Sequence, residues 1–131
     1  MNFESTYVDP RGRASRGQFI GGVIPLLAAA VLYVALVGGV TGGWCLMVLL
    51  FPALVLHARR LHDMGRSGWL VLAPGVLNAA AIWLHYIAHD GGQLKAPVTL
   101  AALAVSAAFV LWGLLGKGKA EANRFGEPAA A

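Results

Sequence analysis

The chain has 131 residues, about the length of one domain, and its composition excludes an ordinary soluble protein. Hydrophobic residues make up 58% of it and charged residues only 12%, about half the charged fraction of a soluble globular domain. The net charge of +4 comes from basic residues at the ends of apolar runs, which indicates anionic lipid headgroups rather than nucleic acid as the partner.

Four apolar stretches predict an all-α, polytopic membrane protein, a bundle of four transmembrane helices. We place the spans at about residues 17–37, 43–58, 69–87 and 97–115. A helix of about 20 residues rises about 30 Å, the thickness of the hydrocarbon core. Ser15 and Gln18 have the spacing of a capping box, which predicts a helix start there. The spans form one domain, 17–116, between an N-terminal segment, 1–16, and a tail, 117–131.

The Lys and Arg residues predict the orientation of the bundle. Nine of them flank one set of span ends, and Lys95 alone lies at the other. The nine are Arg11, Arg13, Arg16, Arg59, Arg60, Arg66, Lys117, Lys119 and Arg124. Because basic residues are retained on the cytoplasmic side, both termini are predicted to be cytoplasmic.

The polar stretch between the second and third spans, residues 59–68, is the main candidate for a site. If the second helix continues past the membrane, Arg59, His62, Asp63 and Arg66 share one of its faces. Asp63 is the only acid of this stretch and is costly near the membrane unless it is paired. We expect its partner to be an arginine of the same stretch or of residues 11–16.

Gly65 is a predicted helix stop and Ser67 a predicted cap for the next helix. Three interpretations of the stretch remain open. It is a topology signal with a salt bridge between helices, a site where arginines bind phosphate as planar donors, or a catalytic His62–Asp63 pair. We favour the first, and we rank catalysis last because adjacent helical residues point about 100° apart.

Three motifs carry a resemblance to a known family. They are Gly12-Arg13-Ala14-Ser15-Arg16 with Phe19 following, Arg59-Arg60-Leu61-His62-Asp63 followed by Ser67-Gly68-Trp69, and Asn123-Arg124-Phe125-Gly126-Glu127-Pro128. In order and spacing, over essentially the whole chain, they resemble the bacterial domain-of-unknown-function family 805. The departures are Phe19-Ile20, where the family often has an aromatic pair, and Leu70, where a second Trp is common. The resemblance implies a small integral protein of the bacterial inner membrane and no established activity.

All three motifs fall on the predicted cytoplasmic side, so we expect them to converge at one end of the bundle. The converging residues form an anion- or headgroup-binding site or a structural clamp. They are Arg13, Arg16, Arg59, Arg60, His62, Asp63, Arg66, Ser67, Asn123 and Arg124. We predict no catalytic residue, no metal and no cofactor.

Polar residues elsewhere favour structural roles. His85 and His89 have a spacing that can hold a metal, but with only Asp90 nearby the ligands are too few, and we expect interfacial hydrogen bonds. Asn78 lies mid-span and is expected to bond a neighbouring helix. Gly21 and Gly22 predict close approach of helix backbones.

The leading functional hypothesis is a non-enzymatic binding or scaffold protein. Its cytoplasmic Arg/His/Asp face would engage membrane lipids through anionic phospholipid headgroups, or a partner membrane protein. The alternative is a small transporter or exporter subunit that works as a homo-oligomer, because four short helices leave little room for an enclosed path. An enzyme acting on lipid ranks third, and no nucleic acid is expected.

Overall fold

The computed structural model describes residues 2–41, 43–88 and 92–129. The regular elements in these ranges are helices, which confirms the all-α prediction. They are α1 (Phe3–Tyr7), α2 (Arg16–Leu36), α3 (Gly38–Thr41), α4 (Trp44–Asp63), a 3₁₀ turn (Gly68–Val71), α5 (Leu72–Ile82), a π turn (Trp83–Ile87), a 3₁₀ turn (Gly92–Leu94) and α6 (Lys95–Leu115).

Four helical segments are long and apolar enough to cross a membrane. These segments are Arg16–Leu36, Cys45–Asp63, Gly68–Tyr86 and Gly92–Leu115. Large apolar side chains such as Leu36, Val76 and Leu100 point away from the bundle, an arrangement that requires lipid around it. The chain is therefore a multi-pass membrane protein, as the composition predicts.

The capping box at the start of α2 is confirmed. The backbone N–H of Gln18 donates to Ser15 Oγ at 3.2 Å, and the backbone N–H of Ser15 donates to Gln18 Oε1 at 3.0 Å. These two bonds satisfy donors that the first turn of a helix leaves free.

Helix α4 continues to Asp63, five residues beyond the predicted end of the second span. Gly65 then ends it in the left-handed conformation, with φ of 75°. Its N–H donates to the carbonyl of His62 at 3.0 Å, and that of Arg66 donates to Leu61 at 2.8 Å, the Schellman pattern. Arg66 therefore lies beyond the helix, and the expectation that it shares a face with Arg59 is wrong.

The third span begins as a 3₁₀ turn that Ser67 caps, as predicted, by accepting from the N–H of Trp69 at 3.3 Å. The turn packs on α4 at Gly68. A Cβ at Gly68 would lie 2.7 Å from His62 Nε2 and 3.2 Å from the Cβ of Ala58. Only glycine permits this approach.

Helices α2, α4 and α6 pack where glycine meets a large side chain. A Cβ at Gly22 would lie 2.7 Å from Leu56, which is fully buried. A Cβ at Gly113 would lie 2.6 Å from the ring of Phe19. Close approach is thus confirmed at Gly22, whereas Gly21 faces outward with no atom within 4 Å of its Cβ position.

Gly22→Ala is expected to destabilise the bundle and Gly21→Ala is not. The added methyl group at position 22 overpacks the contact with Leu56, and overpacking of a close-packed core costs about 1–3 kcal/mol. Gly21→Ala adds the same methyl group to open space one residue away. Thermal unfolding of the purified protein in detergent measures both. Equal melting temperatures for the two variants would contradict the close contact between Gly22 and Leu56.

Candidate functional site

Asp63 lies at the centre of the charged end of the bundle, between two arginines. It accepts from Arg13 Nε at 2.9 Å and from Arg60 Nη1 at 2.7 Å. The side chains of Arg13, Arg60 and Asp63 are 1%, 2% and 9% exposed. The expected pairing of Asp63 with an arginine is confirmed, and the structure supplies one partner from each of the two predicted sources.

Arg13 joins the N-terminal segment to the C-terminal tail. Its Nη1 donates to the carbonyls of Glu121 at 2.8 Å and Gly126 at 3.3 Å, and its Nη2 donates to that of Lys119. A guanidinium has five N–H donors in one plane, so a single side chain can hold several carbonyls at once. The tail is folded around this one residue.

Arg60 caps the end of α6. Its Nε donates to the carbonyl of Gly113 and its Nη2 to that of Gly116, each at 2.7 Å. These oxygens belong to the last turn of the helix and to the residue that follows, where carbonyls have no partner within the helix. Arg16 adds a donor to Gly116 at 3.1 Å.

Arg59 holds the loop that precedes α2. Its Nη1 donates to the carbonyls of Asp9 and Arg11, and its Nη2 donates to that of Arg13 at 3.0 Å. Arg59 is 9% exposed and Arg60 2%, so both side chains are buried in the protein and do not extend to the membrane interface. Carbonyls of the N-terminal segment and of the end of α6 surround them and take the place of water as hydrogen-bond acceptors.

We call the buried cluster of Arg13, Arg59, Arg60 and Asp63, with the carbonyls that it binds, the clamp. It also depends on Gly118, which the sequence analysis did not identify. A Cβ at Gly118 would collide with Asp63 Oδ2, and the next N–H, that of Lys119, donates to the carbonyl of Asp63 at 2.8 Å. The run Gly-Lys-Gly-Lys after the fourth span is the only sequence signal for it. Alternating glycine in a charged tail indicates backbone that passes close to another group.

His62 packs under the tail rather than against Asp63. Its Nδ1 lies 2.9 Å from the carbonyl of Gly12, so this nitrogen carries the hydrogen. Its ring stacks on Phe125 at 3.9 Å, and Asn123 Nδ2 donates to its carbonyl at 3.0 Å. Because both carboxylate oxygens of Asp63 face arginines, the geometry gives no support to a catalytic His62–Asp63 pair.

The predicted residues therefore divide into two groups. The donors of Arg13, Arg59 and Arg60 are directed at the protein's own carbonyls and at Asp63. Arg16, Arg66 and Arg124 are exposed. An external anion at this end of the bundle has Arg66 and Arg124 available to it, whereas Arg16 also donates to Gly116.

A groove of about 810 Å³ opens beside the clamp. Apolar side chains of α4 and of the following turn form its walls, among them Phe51, Val55 and Trp69. Arg11 and Arg124 line it at the charged end, and the guanidinium of Arg124 lies 4.7 Å above the ring of Phe125. The sequence indicated the basic residues but not the groove, because its walls come from segments far apart in the chain.

The two basic residues of the groove differ in their surroundings. Arg11 donates to Asp9 from Nε at 2.9 Å and from Nη2 at 3.0 Å. This contact holds the pKa of Asp9 at about 2, so the carboxylate stays ionised and balances the charge of Arg11. Arg124 therefore contributes the larger part of the positive charge at the groove.

At the opposite end, His85 Nε2 lies 2.7 Å from Thr99 Oγ1, an interfacial hydrogen bond of the expected kind. His89 and Asp90, the other two candidate metal ligands, lie outside the described residues.

Asp63→Asn is expected to lower the stability of the protein by about 3–5 kcal/mol, because it leaves two buried guanidinium groups without their counter-charge. The matched control is Asp9→Asn, which breaks an exposed pair and should melt like the parent. Thermal unfolding in detergent at neutral pH compares them. An Asp63→Asn protein that melts with the control would show that the pair does not hold the end of the bundle together.

The family model described as "Protein of unknown function (DUF805)" matches residues 7–127, which include the first two motifs, the third motif through Glu127, and all four spans. No curated protein and no solved structure matches the chain. The matched range runs from the N-terminal segment through the tail that closes over His62, so it covers the whole clamp. The chain belongs to the DUF805 family.

Proposed function

We propose that this protein is a non-enzymatic lipid-binding protein of the bacterial inner membrane, and that the groove holds one anionic phospholipid. The charged end of the bundle, where the three motifs meet, then faces the cytoplasm. The hydrophobic wall of the groove contacts an acyl chain, and Arg124 contacts the phosphate. The protein acts as a binding or scaffold component of the membrane.

The length of the groove carries this proposal. Its wall on α4 runs from Phe51 to His62, eleven residues apart on one helix and about 16 Å along its axis. One leaflet of the hydrocarbon core is about 15 Å thick, half of the whole. A groove that begins at the charged end and continues for one leaflet matches the depth of a single phospholipid chain.

The charges support an anionic headgroup. Arginine binds phosphate through two parallel N–H donors, and Arg124 is exposed beside the groove rather than committed to the clamp. His62, Ser67 and the backbone of Gly12 add polar groups at the same end. A zwitterionic lipid makes the same contacts with the apolar walls, but its headgroup is attracted less strongly by the positive charge of Arg124.

The clamp supports the proposal indirectly. Arg13, Arg59 and Arg60 hold the N-terminal segment and the tail in place, and both segments contribute to the lining of the groove through Gly12 and Phe125. A site whose walls are set by buried ion pairs is formed before the ligand arrives. Such preorganisation lowers the cost of binding.

Native mass spectrometry of the full-length protein, with phosphatidylglycerol and phosphatidylcholine of equal chain length, tests the binding. We expect one tightly retained phosphatidylglycerol. Arg124→Gln should weaken its retention at least fivefold, the factor that corresponds to about 1 kcal/mol per basic residue. Arg66→Gln removes an equally exposed charge outside the groove lining and should leave retention unchanged.

A second variant separates the groove from surface charge. Leu72→Trp fills the groove without altering any charge, and it should weaken the retention of both lipids. Equal losses in Arg124→Gln and Arg66→Gln, with no loss in Leu72→Trp, would mean that the charged end attracts anionic lipid without a shaped site. That result would overturn the proposal.

The orientation is tested by reporter fusions. The excess of nine basic residues to one motivates cytoplasmic termini. A reporter that is active only in the periplasm should give signal when fused at Thr41 or Gly92 and no signal when fused after residue 129. Signal from the C-terminal fusion would reverse the orientation and place the groove in the other leaflet.

A further inference from the structure

A second cavity lies inside the bundle, between the four spans. It has a volume of about 300 Å³, and side chains of α2, α4, α5 and α6 line it. Most of its wall is apolar, but His57, Asn78 and Ser106 also line it. Ser106 lies nine residues before the end of α6 at Leu115, so it is about 14 Å below the charged end, close to the middle of the membrane.

Both amide N–H groups of Asn78 donate hydrogen bonds, and its Oδ1 remains as an acceptor. Its Nδ2 donates to the carbonyl of Pro74 and to Ser106 Oγ, each at 2.7 Å, which confirms the expected bond to a neighbouring helix. Both N–H groups of the amide are therefore occupied. The described residues offer no donor to its Oδ1, and Ser106 keeps its own hydroxyl hydrogen.

His57 presents a second acceptor, which sequence reasoning passed over. Its Nδ1 lies 2.7 Å from the carbonyl of Ala53, and a carbonyl only accepts, so Nδ1 carries the hydrogen. The ring edge packs against Phe19 at 4.9 Å. An imidazolium is costly at this depth, and no carboxylate in the described ranges pairs with it. The neutral ring leaves a lone pair at Nε2.

We propose that this cavity binds a lipid-soluble alcohol, an apolar molecule that carries one hydroxyl group. Acceptors without a donor are costly in hydrocarbon, and the single hydrogen of an O–H group supplies the donor that His57 Nε2 lacks. The hydroxyl oxygen accepts in turn from Ser106. The apolar wall takes the body of the molecule, and the volume lies at the lower end of the range for ligand pockets. The source of the ligand is the bilayer, because the polar groups lie near its middle.

This site is independent of the phospholipid groove. The hydroxyl ligand carries no charge, so Arg124 contributes nothing to it. Leu54 lines both spaces, whereas each polar lining residue belongs to only one of them. The Arg124→Gln variant therefore separates the two proposals: it should lose phospholipid and keep the alcohol.

The test uses the full-length protein with ¹⁵N-labelled histidine in phosphatidylcholine nanodiscs. The probe is 1-dodecanol, and the control is dodecyl methyl ether, which has nearly the same shape and no donor. We expect 1-dodecanol to bind saturably, one per protein, and to shift the Nε2 resonance of His57. The ether should partition into the bilayer without moving that resonance. His57→Phe assigns the signal among the four histidines.

Asn78→Leu removes the amide that bonds to Ser106 in the cavity wall, and it should weaken the saturable binding. If that variant does not fold, the His57 resonance in the parent protein decides the question. A resonance that responds to neither probe, or equally to both, overturns the proposal. Magnetisation transfer from water to the ring hydrogens of His57 that 1-dodecanol does not suppress shows that the cavity holds water, and it overturns the proposal as well.

Discussion

Asp63 is one carboxylate buried between two guanidinium groups, and this imbalance governs the charged end of the bundle. One negative charge cannot satisfy two positive groups that bear ten N–H donors between them. The remaining donors need acceptors, and in a buried site these are backbone carbonyls. Arg13 donates to carbonyls of the tail, and Arg60 donates to carbonyls at the end of α6. The charge pair thus determines where three separate segments of the chain lie.

The consequence extends to the groove. Its lining comes from the N-terminal segment, α4, the 3₁₀ turn and the tail, and each of these is attached to the clamp or packs on it. Gly68 lets the turn reach His62, and Gly118 lets the tail reach Asp63. At both contacts a single added methyl group would collide with the side chain opposite. The groove and the clamp are therefore one structure, with the arginines as its support and the apolar wall as its binding surface.

The deeper cavity obeys a different constraint. At the charged end the buried arginines direct most of their donors at partners within the protein, with Arg59 Nε as an exception. His57 and Asn78 instead each retain an acceptor beside the cavity. Proteins in hydrocarbon satisfy their backbone inside helices, so side chains with spare hydrogen-bonding capacity are the groups that remain for ligands. Leu54 of α4 contributes to both spaces and lies where they adjoin. Helix α4 contributes one histidine to each space, His62 to the groove and His57 to the cavity.

The apolar runs and the charge deficit by themselves determined that the chain is helical and crosses a membrane four times, because a bilayer constrains length and hydropathy so strongly. Ser15 with Gln18, and Ser67, likewise determined helix starts, since capping is a local interaction. For Asp63 the sequence predicted only that its partner is an arginine. Which arginines reach it, and that Arg59 and Arg60 are buried rather than interfacial, depended on carbonyls 46 to 56 residues away in sequence. Tertiary structure alone decided the groove and the cavity, because their walls are assembled from helices whose spacing no local pattern encodes.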